Sequence, residues 1–153
     1  MSSLQVDSIA AIGCGHVDGT GEVVQYEQAV NTTTTTISNN TTATILTLNF
    51  TPKFSDSLIL CQGFNSEDLA VDSTSYCSSF IFAGTDQVAI SNNVGYLITK
   101  SASARFQYGY SGSIASWGTT SKAIDIRVSA LAGNWTVSKN SKKTSLLVWE
   151  IAQ

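Results

Sequence analysis

Catalysis and metal binding need titratable or soft side chains gathered at fixed spacing, and this sequence holds few of them. Its single histidine, His16, follows Cys14 in the glycine-rich run Gly13-Cys14-Gly15-His16. A Cys-x-His pair supplies only two of the ligands that zinc takes, and a glycine-rich hinge holds a proton-transfer dyad poorly. The pair therefore reads as a polar linker, and an ion would need copies of His16 brought together on a symmetry axis. Glu67, Asp68 and Asp72 lie close in sequence, which raises a paired-carboxylate glycosidase or a calcium loop. Their spacing fits no calcium loop, so a solvated acidic loop is expected, with a bound cation or glycoside hydrolysis as alternatives. Neither G-x-S-x-G nor G-x-x-x-x-G-K-[ST] occurs, so neither a nucleophile elbow nor a phosphate loop is indicated. The expectation is a chain with no catalytic residue, no cofactor and no metal.

Electrostatics narrows the partners. Lys+Arg number 8 against Asp+Glu 11, a net charge of −3, which is no footprint for nucleic acid. Charged residues are only 12% of the chain, so solubility rests on hydroxyls and amides, groups that suit neutral polymers such as glycans. Three cysteines, Cys14, Cys61 and Cys77, are an odd number without zinc or redox spacing. Packed thiols are expected, with a Cys61–Cys77 bridge as the alternative. Met1 to Ile12 has neither the basic start nor the apolar run of a secretion signal, and no stretch of about 18 apolar residues occurs. Secretion and membrane insertion are thus not expected, and the sequons at Asn31, Asn40, Asn49 and Asn134 read as chance products of an Asn- and Thr-rich chain.

The elements that must position these residues show a hydrophobic period of two. Leu46, Leu48 and Phe50 alternate with Thr47 and Asn49; Phe106, Tyr108 and Tyr110 with Gln107 and Gly109; Ile124, Ile126 and Val128 with Asp125, Arg127 and Ser129. Each reads as a strand with one wet face. Further strands are expected at 22–30, 58–64, 77–83, 87–90, 96–99, 135–138 and 145–151. Turn chemistry separates them at Gly84-Thr-Asp, Ser91-Asn-Asn, Gly112-Ser and Ala132-Gly-Asn. No helical stripe lasts three turns, and Ser66 to Val71 would make one capped turn at most. The fold expected is all-β, an antiparallel β-sandwich of jelly-roll type with about 8–10 strands. The polar tract 31–44 reads as an extended edge strand with Ile37 inward, or else as a mobile loop.

Residues 1–20 differ from the rest. Leu4, Val6, Ile9 and Ile12 precede a stretch holding Gly13, Gly15, Gly19 and Gly21, which reads as an extended N-terminal arm and hinge before a domain at 21–153. Apolar residues too few to form a core are buried on another body, so these four are the candidate particle-anchoring residues; an additional strand of the same domain is the alternative. Tyr76, Tyr96 and Trp117 are the candidate ligand or interface aromatics. Trp117, between Ser116 and Gly118, is either exposed or in the core.

The order of segments resembles the small jelly-roll virion proteins of marine and cyanobacterial phages, of the fibre-head or capsid-decoration type. The matching stretches are Ser3-Leu-Gln-Val-Asp-Ser-Ile, Gly21-Glu-Val-Val-Gln, Thr51-Pro-Lys-Phe-Ser-Asp-Ser-Leu-Ile-Leu and Leu147-Val-Trp-Glu-Ile-Ala. Between Glu67 and Ala104 only strand rhythm matches. The resemblance implies a homotrimer formed through an edge or face of the jelly roll, its N-terminal segment fixed to a phage capsid or tail protein. It also implies assembly in the host bacterial cytoplasm and a place on the virion surface, with host-surface glycan as a further partner. A free-standing carbohydrate-binding lectin-like module is the alternative, and a hydrolase the third class.

Overall fold

A computed structural model describes residues 21–69, 75–97, 104–115, 117–138 and 142–153. They form strands β1 (Val23–Asn31), β2 (Thr35–Ile37), β3 (Thr41–Phe50), β4 (Leu58–Leu69), β5 (Ser75–Ala83), β6 (Asp86–Leu97), β7 (Ala104–Ala115), β8 (Lys122–Ala132), β9 (Trp135–Val137) and β10 (Thr144–Ile151). No helix occurs among the described residues. The four arm residues Leu4, Val6, Ile9 and Ile12, with Cys14, His16 and Asp72, lie outside them.

All pairing is antiparallel, in two sheets. One runs β1-β10-β4, with β7 along the opposite edge of β4 and β9-β2 continuing past the end of β10; the other runs β3-β8-β5-β6. After β1 and β2, the chain crosses to β3, back to β4, over to the β5–β6 hairpin, back to β7, over to β8 and finally to β9 and β10. This alternation between facing sheets is a jelly roll, the expected fold. β1 and β2 together form one interrupted strand against β9 and β10, since Asn31 faces Thr144 and Thr35 faces Val137.

The inward alternate positions form the core. Ile124, Ile126, Val128 and Ala130 of β8 face Ile59 and Cys61 of β4 and Leu146 and Val148 of β10, all fully buried. Trp135 at the start of β9 is also fully buried, its indole N–H donating to Ala132 O at 3.0 Å. Ile37 is inward as expected, 1% exposed in β2. The polar tract is divided, however: Asn40 takes a φ of 57° and turns the chain into β3. Asn and Asp tolerate this left-handed conformation best after glycine.

Three expected boundaries move. Ser66 to Leu69 extend β4 instead of making a helical turn, because β7 pairs with β4 along its whole length, Leu58 facing Ala115 and Leu69 facing Ala104. Ser91-Asn-Asn lies inside β6, where the pairing of Cys77 with Val94 and Ser79 with Ser91 absorbs an extra residue as a bulge. Gly112-Ser lies inside β7. There glycine is needed for close approach, since a Cβ on Gly112 would sit 2.2 Å from Val88 O of β6 across the sandwich. Gly84-Thr-Asp and Ala132-Gly-Asn do turn the chain, with φ of 63° at Gly84 and 74° at Gly133.

Candidate functional site

Cys61 and Cys77 are reduced, buried thiols on facing sheets, with no bridge between them. Burial pushes the Cys61 thiol up to about 12, so it stays protonated near neutral pH and is a poor nucleophile there. Glu67 and Asp68 belong to β4, paired with Phe106 and Arg105, so the expected acidic loop does not begin with them. Among the described residues, no group of three His, Cys, Asp or Glu is placed to hold a metal ion.

Of the three candidate aromatics, Tyr76 is half-buried in β5 opposite Ala132, and Tyr96 belongs to β6. Trp117 is in the core at 6% exposure, which rules out the exposed position considered for it. Its ring centroid lies 6.2 Å from that of Phe50, and the Lys122 ammonium sits 5.2 Å above it. The polar neighbours of Trp117 in sequence belong to a connection folded over an apolar ring, so local polarity was a poor guide.

Two features were missed by sequence reasoning. The first is Glu150, fully buried on the inner side of β10 in register with Leu146 and Val148. Its carboxylate accepts the backbone N–H of Lys53 on both oxygens at 2.9 Å, the Phe54 N–H at 2.9 Å and the Ser57 hydroxyl at 2.8 Å. Pro52 has no N–H, so the backbone donors to the carboxylate come from the two residues that follow it, Lys53 and Phe54. A carboxylate inside a sandwich is tolerated only when so satisfied. This contact joins Thr51-Pro-Lys-Phe-Ser-Asp-Ser to Leu147-Val-Trp-Glu-Ile-Ala, two stretches that carried the sequence resemblance. The same loop accepts Gly118 N–H at Ser55 O, 3.1 Å, fixing the Trp117 connection. Inward register was the available signal: a charge at an expected core position needs partners.

The second feature is the outer face of the larger sheet. From β1 it takes Val23, Tyr26, Gln28 and Val30; from β10, Ile151, Trp149, Leu147 and Ser145. From β4 come Leu58, Leu60, Gln62 and Phe64, and from β7 Ala115, Ser113, Ser111 and Gly109. None of these positions is charged; Asp68 and Arg105, paired with each other, continue the same alternation further along β4 and β7. Val23, Tyr26, Val30 and Phe64 are 53, 48, 45 and 40% exposed, four of the five most exposed large hydrophobic residues among those described. Tyr26 and Trp149 pack with ring centroids 5.7 Å apart, and Phe64 lies flat over Gly109, where an added Cβ would meet its ring at 2.9 Å. The signal was legible in β10, where Leu147 and Trp149 make the outward set apolar as well as the inward one; such a strand is expected to be covered on both faces.

Fold and faces together define a jelly-roll sandwich, closed inside and apolar on one outer surface. No family model matches the sequence, and no curated protein matches it. Among solved structures, the chain is similar to that of the infectious bursal disease virus Gx strain, at 10% identity and a TM-score of 0.43, covering 86% of this chain and 38% of that one. The VP2 subviral particle of the same virus gives 10% identity and a TM-score of 0.45, covering 84% and 38%. This chain therefore spans less than two fifths of the chains it is compared with.

Proposed function

We propose that this chain is a bacteriophage virion surface accessory protein, a homotrimeric head decoration or fibre component. Leu4, Val6, Ile9 and Ile12 attach it to a capsid or tail protein, and the jelly roll is displayed to stabilise the particle or to adhere to host-surface glycan. The observation that carries this reading is the jelly roll's outer sheet face, uncharged and largely apolar across β1, β10, residues 58–64 of β4 and residues 109–115 of β7, a surface suited to packing against another folded body rather than to chemistry.

The test is incorporation into particles of the full chain carrying Leu4→Asp and Ile9→Asp. Loss of the protein from purified particles, with an unchanged circular dichroism spectrum, is expected. Wild-type occupancy would remove the arm from the account and with it the attachment proposed here. Binding of the soluble protein to host cells separates a fibre tip, which binds them, from a decoration, which does not.

A further inference from the structure

We infer that the outer face of the β1-β10-β4-β7 layer is where one copy of this chain packs on another. The inference deepens the proposed trimeric virion protein and rests on that reading for its setting, but its own support is geometric.

Size comes first. Four strands about 4.8 Å apart and three steps of about 6.8 Å along each, with a margin for the side chains, cover roughly 20 by 25 Å, on the order of 500 Å². That lies in the upper part of the range for the largest apolar patch of a monomer, about 300–600 Å². Two such faces in contact bury on the order of 1,000 Å², the lower bound for a specific protein interface.

Charge then favours a copy as the occupant. In a symmetric contact, residues near the axis meet their own equivalents, so any charge there faces a like charge. The chain has a net charge of −3, yet the patch formed by β1, β10, residues 58–64 of β4 and residues 109–115 of β7 has no charged position, the nearest on the same alternation being the mutually paired Asp68 and Arg105. Its polar groups are Gln, Ser and the Tyr26 hydroxyl, which both donate and accept and can therefore pair with themselves.

Shape points the same way. The β1 and β10 half is raised by Tyr26, Trp149 and Val30, while the β7 half is a low shelf of Ser111 and Ser113, with Gly109 beneath the Phe64 ring. The raised half of one copy fits the shelf of another. A two-fold contact uses both halves of both faces at once, whereas a closed ring uses one half of each face per contact and so buries about 500 Å² at each.

A matched pair of substitutions tests the inference in the full chain. Val30→Lys places a charge on this face at a position 45% exposed, and Leu131→Lys places one on the opposite sheet at 39%. Light scattering should give wild type and Leu131→Lys the same multiple of 16.2 kDa, with Val30→Lys shifted at least tenfold toward dissociation. Phe64→Lys, 40% exposed, should repeat the Val30→Lys result, and circular dichroism melts check that each variant is folded. A wild-type mass of one chain at every concentration overturns the inference. So does dissociation by Leu131→Lys but not by Val30→Lys or Phe64→Lys. If the monomer binds purified capsid through Val30, or covers this face with its own residues 1–20, a copy is not the occupant and the inference also fails. Failure of arm-dependent particle incorporation leaves these mass measurements untouched, so the two readings fail separately.

Discussion

The two outer sheet faces solve the same problem in opposite ways. On the β3-β8-β5-β6 sheet the outward groups satisfy one another. Asp125 accepts Thr47 Oγ1 at 2.7 Å and pairs with Arg127 at 2.7 Å, while the Arg127 guanidinium lies 4.3 Å over the Phe82 ring and Thr42 donates to Ser129 Oγ at 3.0 Å. Among the described residues, that face carries a network of polar groups paired within one chain. On the β1-β10-β4-β7 layer, rings and aliphatic groups stand outward without such a network. Strand grammar is the same on both, so the difference lies in which residue types occupy the alternate positions.

The most damaging way to test this contrast is to unpin the strand at the centre of the apolar face. Glu150→Ala removes the carboxylate that holds two backbone N–H groups and a hydroxyl, and should cost about 3 kcal/mol. Urea denaturation measures it; a loss below about 1 kcal/mol would mean that the loop 51–57 holds itself and β10 does not depend on it.

A middle effect comes from beneath the same layer, at Cys61. Its thiol is raised from 9.0 to about 12 by burial, so the folded state keeps its proton more tightly than the unfolded state does. The stabilisation is complete below pH 9 and is lost as pH rises toward 12, by at most about 1.4 kcal/mol for each pH unit. Cys61→Val should flatten the alkaline limb of a stability–pH curve relative to wild type. Superimposable curves would place the thiol in contact with water.

The smallest effect is expected on the face with the polar network. Arg127→Ala removes one ion pair and one cation–π contact, worth about 1 kcal/mol together, and should leave the assembled mass unchanged. Loss of assembly in this variant would assign the docking role to the wrong sheet.

Much of this architecture was legible because period-two alternation reports directly on which side chains point inward: Leu46, Leu48 and Phe50 do so, as do Ile124, Ile126 and Val128. Composition at turns was less reliable. Gly112-Ser resembles a turn but serves a close backbone approach to β6 of the other sheet, and Ser91-Asn-Asn marks a bulge against its hairpin partner β5; both depend on a neighbouring strand and not on local composition. Glu150 and the apolar face escaped for a related reason. The first is explained only by a loop nearly a hundred residues away, and the second only once four non-consecutive strands lie side by side. Side-chain chemistry reveals a strand's two sides, whereas adjacency between strands is a property of topology.

That topology also sets an order on synthesis. β10, the last of the ten described strands in chain order, is an inner strand, bonded on one side to β1 and on the other to β4. Until it arrives, β1 has no neighbour in its sheet and the near edge of β4 lies open. The nascent chain therefore cannot complete its larger sheet until β10 has been made, and it carries an unpaired strand edge in the meantime. A stall before β10 should yield aggregates rather than a shortened but native product.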